Sequence, residues 1–151
     1  MERRSNPQAR QRGFTLLEVV VAIAIVALLA AAILPGLLQN RDDAKHSMAL
    51  DQLKMKFTSA IARQLTKTDG CAPANFTTAK LIERGVASTT AWGEAWQAVA
   101  APNQVVVTYP VGNASKPAET GADITAALTG FGGVDAVAYA GNNVTVSYRC
   151  N

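Results

Sequence analysis

Residues 14–38 read FTLLEVVVAIAIVALLAAAILPGLL, twenty-five residues in a row with one formal charge, Glu18, near their start. At about 1.5 Å rise per residue, a helix of that length reaches roughly 37 Å, slightly more than a hydrocarbon core of about 30 Å. The segment is long enough to span a bilayer. An ionisable side chain inside it costs roughly 2.5–3.5 kcal/mol at the bilayer centre and less near an interface, so Glu18 asks for a partner.

What precedes the run is short, polar and basic. Arg3, Arg4, Arg10 and Arg12 outweigh Glu2, while the 138 residues after Gly13 carry ten basic and ten acidic side chains. By the positive-inside tendency the leader stays cytoplasmic, and the C-terminal part lies across the membrane. The run is too long for an ordinary secretory signal, whose apolar stretch covers about 7–15 residues. Ala30-Ala31-Ala32 imitates a signal-peptidase site, but cutting there would discard Glu18 and leave the apolar Ile33 to Leu38 as a new terminus. The pI near 9.1 reflects the leader alone, so DNA is not indicated as a partner.

Here the residues carry a resemblance. Gly13-Phe14-Thr15-Leu16-Leu17-Glu18, after a basic leader and before an apolar span, resembles the class III signal sequence of type IV pilins and of the pseudopilins of type II secretion. The resemblance implies cleavage between Gly13 and Phe14 by a prepilin peptidase, which also N-methylates Phe14. It also implies a role in assembly for Glu18. The implied partners are further copies of the chain in a helical filament, an assembly platform and its ATPase, and the inner membrane before assembly. Physically, cutting after Gly13, a small residue that lets a peptidase approach the backbone, creates a charged amine one helical turn from Glu18. In a stack of helices stripped of lipid, pairing of that amine with Glu18 of a neighbour would fix axial register, because an unpaired buried charge costs several kcal/mol. The alternative is a Glu18 solvated at the headgroup interface.

Pro35-Gly36 interrupts the hydrogen-bond ladder near the end of the span and predicts a bend or local melting there. Beyond it, Leu50, Leu53, Phe57, Ile61 and Leu65 recur every three or four residues, an apolar stripe on a continuing helix that should end between Lys67 and Gly70. The expected organisation is a leader at 1–13, a membrane and filament-core helix at 14–38, an amphipathic half-helix at 39–70 and a globular head at 71–151. In the head, Thr78 should cap a short helix stopped by Gly85. Residues 71–102 show little strand pattern, and 110–122 read as an exposed loop, with Asp123 capping a turn through Leu128. Gln104 to Tyr109 reads as a strand. Val134 to Ala140 and Val144 to Arg149 read as a hairpin about Gly141-Asn142-Asn143. The fold class is α+β, a long helix against an antiparallel sheet, which the resemblance specifies as a pilin-like roll.

Cys71 and Cys150 both follow the span. In an extracytoplasmic domain they would pair, closing a loop of about 80 residues worth roughly 4 kcal/mol; the alternative is two unrelated buried thiols. A wide spacing of this kind is less typical of type IVa pilins, and pseudopilins more often lack a C-terminal bridge. No enzyme chemistry is legible and no cofactor is implied: His46 is the single histidine, and Gly130, Gly132 and Gly133 lack a P-loop lysine. The leading expectation is a type IV pilus (fimbrium) subunit, with a secretion pseudopilin or minor pilin as the nearest rival. A tethered binding module using Trp92, Trp96 and the 110–122 loop is the reading from another class.

Overall fold

A computed structural model of the chain describes residues 14–68 and 70–150, so the leader and Gly13 lie outside the described residues. Helix α1 runs from Leu16 to Asp51 and continues through residues 35 and 36 without a break. The melting expected at Pro35-Gly36 is therefore absent from the secondary structure. A single proline removes one intrahelical hydrogen bond, and the ladder on either side holds the rest. Gln52–Lys56 forms one π-helical turn, and α2 follows at Phe57–Leu65, ending two residues earlier than the stripe suggested.

The chain divides into two compact units after Gln39. In the second, Leu53, Phe57 and Ile61 are buried and Leu50 and Leu65 partly so, as their spacing predicts. They face a four-stranded antiparallel sheet of order β1-β2-β4-β3, made of β1 (Gln97–Ala101), β2 (Gln104–Pro110), β3 (Val134–Ala140) and β4 (Asn143–Arg149). Alternation turns Val105, Val107 and Tyr109 of β2 and Val144, Val146 and Tyr148 of β4 onto the helices, all essentially fully buried. Burying each such side chain stabilises the domain by about 1.5–3 kcal/mol relative to leaving it exposed. Phe57 sits at the centre, edge-on to Trp96 with ring centroids 4.7 Å apart and stacked on Tyr148 at 6.0 Å.

Two tyrosines stitch the π turn to the sheet. The Tyr148 hydroxyl donates to the Leu53 carbonyl at 2.7 Å, and the Tyr109 hydroxyl donates to Gln52 Oε1 while accepting from the Ala91 N–H. Burial pushes both phenols above their ordinary range, so neither ionises while the domain stays folded. Between β3 and β4 the turn is a two-residue loop, Gly141 at φ 54° and Asn142 at φ 63°, the left-handed pair that matches strand twist in a tight hairpin.

Three expectations are corrected. The cap of α3 (Thr78–Glu83) is Thr77, whose hydroxyl accepts the Lys80 N–H; Thr78 Oγ1 instead accepts the Ala98 N–H and ties α3 to β1. Strand β1 lies inside the supposed connection. Its alanines are weak strand formers, and pairing with β2 together with burial of Ala98 and Ala100 overrides their propensity. Finally, much of the supposed loop at 110–122 is the start of α4, Pro117–Leu128, with Pro117 in its first turn and Asp123 mid-helix. Pro117 followed by Glu119 is a helix-start signal.

Helix α4 lies close to β3 because Gly121 has no side chain: a Cβ there would fall 2.2 Å from the Tyr139 ring. Alanine at 121 improves helix propensity by about 1 kcal/mol. The clash costs about 1–3 kcal/mol. Gly121→Ala should therefore lower the thermal stability of the detergent-solubilised chain, whereas in a Tyr139→Ala background the same change should raise it.

Candidate processing and assembly segment

The segment begins with Phe14 and Thr15, which precede the first residue of α1. Thr15 caps the helix: its carbonyl accepts the Val19 N–H and its hydroxyl accepts the Glu18 N–H at 3.2 Å. Thr15 and Glu18 thus have the spacing of a capping box, a signal present in the sequence but passed over in its reading. Glu18 stands in the first turn, where a carboxylate is favoured by the helix dipole by about 0.3–1 kcal/mol. Among the described residues its carboxylate makes no hydrogen bond or ion pair, and the residue is exposed. Phe14, 81% exposed, lies four residues earlier in the chain. The arrangement leaves an exposed carboxylate four residues from the residue whose amine would be freed by cleavage after Gly13.

From Leu16 to Leu34 the helix is long and apolar enough to cross a membrane, and none of that stretch is buried within the chain. Val20, Ile23, Leu28 and Ile33 are all more than half exposed. An apolar helix of this kind, bare on every side, is stable in lipid or against other helices and not in water.

In the second unit, Cys71 and Cys150 are joined by a disulfide, with Cα atoms 5.9 Å apart. Cys150 is buried and its N–H donates to the Asn103 carbonyl in the β1–β2 turn. The loop after α2 is held from its other side by Gln64, which donates to the Asn75 carbonyl and accepts from Arg84 Nε at 2.7 Å. The last strand is therefore fastened to the segment that leaves the helix. Trp92 and Trp96 are core residues, 7% and 2% exposed, and Trp96 Nε1 donates to the Ala87 carbonyl. Both tryptophans of the tethered-module reading are thus buried, and α4 takes up part of its 110–122 loop. His46 is half-buried on α1, and no cluster of His, Cys, Asp or Glu among the described residues is placed to hold a metal ion.

The family model of the prokaryotic N-terminal methylation motif matches residues 8–34. Type II secretion system core protein G of Dickeya chrysanthemi is 41% identical over 46 residues, 30% of this chain and 30% of that protein. The Escherichia coli protein of the same name is 41% identical over 44 residues, 29% of this chain and 30% of its own length. Type IV major pilin protein PilA of Myxococcus xanthus is 39% identical over 56 residues, 37% of this chain and 24% of that pilin. The chain thus spans about a quarter to a third of the length of these relatives. No solved structure matches it.

Replacing both cysteines by serine should lower the stability of the sheet domain by roughly 4 kcal/mol, and dithiothreitol should lower the melting temperature of the wild type but not of the double variant. The methylation motif leads into a bare apolar helix, and a helix-backed antiparallel sheet follows it; the N-terminal part of the chain is similar to that of type IV pilins and type II secretion core protein G.

Proposed function

We propose that the chain is the repeating subunit of a type IV pilus, anchored in the inner membrane, cut between Gly13 and Phe14 by a prepilin peptidase, methylated on Phe14 and drawn into a filament by a platform and its ATPase. One observation carries this reading: an apolar stretch from Leu16 to Leu34 that nothing among the described residues covers, with an exposed carboxylate in its first turn. Lipid satisfies that stretch before assembly, and the same stretches of other copies satisfy it afterwards. Glu18 then has two roles that do not compete. Its N–H completes the Thr15 cap, and its carboxylate is left for the Phe14 amine of its own chain or of a neighbour.

The disulfide suits a sheet domain on the far side of the inner membrane, and because pseudopilins more often lack a C-terminal bridge it favours a surface pilus. The second reading, a pseudopilin, draws support from the relatives named core protein G. Their identity covers the N-terminal part of the chain, where both kinds of filament need the same helix.

Glu18→Ala should leave a stable, membrane-located protein that no longer enters filaments, read by shearing cells and blotting the sheared fraction. A tethered module would tolerate the change. Deleting the gene should remove surface fibres visible by immunogold labelling, whereas loss of exported enzymes with no fibre to lose would favour the pseudopilin.

A further inference from the structure

The first turn of α1 and the bond that the proposed processing breaks draw on the same backbone atoms. A helix leaves the N–H groups of its first turn without intrahelical partners. Such a group is met either by extending the helix back to the carbonyl four residues earlier or by a side-chain cap. Here the cap is used. The Thr15 carbonyl accepts the Val19 N–H, its hydroxyl accepts the Glu18 N–H at 3.2 Å, and the helix begins at Leu16. Were the ladder to run two residues further back, the Glu18 N–H would take the Phe14 carbonyl and the Leu17 N–H would take the Gly13 carbonyl. The second of these is the carbonyl of the Gly13–Phe14 bond. Hydrolysis adds water to that carbonyl carbon and gathers charge on its oxygen, which the peptidase's own donors must reach. The C–N bond then breaks, leaving a carboxylate on Gly13 and a proton on the Phe14 amine.

We propose that Thr15 is a positioning residue for this cleavage: its hydroxyl starts the helix at Leu16 and so keeps the Gly13 carbonyl out of the hydrogen-bond ladder and open to the peptidase. This rests on the processing proposed above and adds what in the chain exposes the bond to be cut. The cap matters most at this end of the chain. The stretch that follows is apolar from Leu16 to Leu34, and beside lipid, water is scarce as a partner for a free N–H. Without the hydroxyl, the acceptors left within reach of the first turn are the carbonyls just upstream. Phe14 and Thr15 are both exposed, so no packing holds them out of the helix in place of the cap. The match to the methylation motif, over residues 8–34, covers the bond and the cap together.

The test follows cleavage of the full-length chain in membranes by a prepilin peptidase, with the shortened product read by mass. Thr15→Val removes the hydroxyl and little else. Loss of an N-cap shifts a helix-start equilibrium by roughly two- to thirtyfold, and kcat/KM for cleavage should fall by about that factor. Thr15→Ser and Thr15→Asn keep an accepting oxygen and should be cut at close to the wild-type rate. Leu16→Pro separates this role from direct recognition of the hydroxyl by the peptidase. Proline suits the first position of a helix and disfavours helical backbone in the residue before it, so it stops the ladder without a cap. Adding Leu16→Pro to Thr15→Val should therefore restore the rate. Chemical shifts of Gly13 and Phe14 in the micelle-bound chain give a second measure that needs no enzyme: they should be non-helical in the wild type and move toward helical in Thr15→Val. The cap lies outside the unit that carries the sheet, so none of these changes should move the melting temperature of that domain. Equal rates for the wild type and Thr15→Val, no recovery in the double variant, or unchanged shifts in Thr15→Val would each overturn the inference. A wild-type chain left uncut by a prepilin peptidase would instead overturn the processing reading itself.

Discussion

Coverage of the apolar helix from Leu16 to Leu34 is the requirement on which the function of the molecule depends. Among the described residues nothing covers its side chains, and water cannot be their final environment. Two environments meet the need, lipid and other copies of the same helix, and movement from one to the other is what a filament subunit has to do. The apolar term changes little in that exchange, because lipid tails are as apolar as the neighbouring side chains. What changes is the environment of Glu18, held in the first turn by the Thr15 cap with its carboxylate unengaged. A charge that is tolerable at a membrane surface becomes costly in a dry bundle unless an amine meets it. On the proposed function, cleavage after Gly13 would supply that amine four residues away, and so would couple processing to assembly.

The second unit is built on a different principle. From Asn40 the helix becomes one wall of a conventional core, with Phe57 between Trp96 and Tyr148 and the π turn bonded to two buried tyrosines. The disulfide from Cys71 to Cys150 fastens the last strand to the point where the chain leaves α2. This domain buries its apolar side chains between the helices and the sheet. Its opposite face is formed by the outward side chains of the four strands, whose two charged residues, Asp135 and Arg149, pair with each other.

Most of the architecture was legible from residue spacing. The stripe from Leu50 to Leu65, the β3–β4 hairpin around Gly141-Asn142 and the strand ending at Pro110 each carry the period of the element they form. Strand β1 was not legible, because Ala98, Ala100 and Ala101 say little about conformation until β2 pairs with them. Helix α4 was hidden by Gly121 and by a polar start, although Pro117 in its first turn announced it. The π turn has no residue signature at all; it is visible only with the tyrosine hydroxyls that meet it. At the N-terminus the reverse holds. Glu18 and its neighbours were conspicuous by chemistry, but their local geometry, the capping spacing with Thr15, went unread.

The most direct test of the account is the mass of the protein and of its N-terminal peptide, measured on material sheared from native cells without reduction. The account predicts a chain that starts at Phe14, heavier by one methyl group on the new terminus and lighter by two hydrogens for the disulfide. A chain that keeps Met1 and is found only in the membranes of cells with an active prepilin peptidase would contradict it.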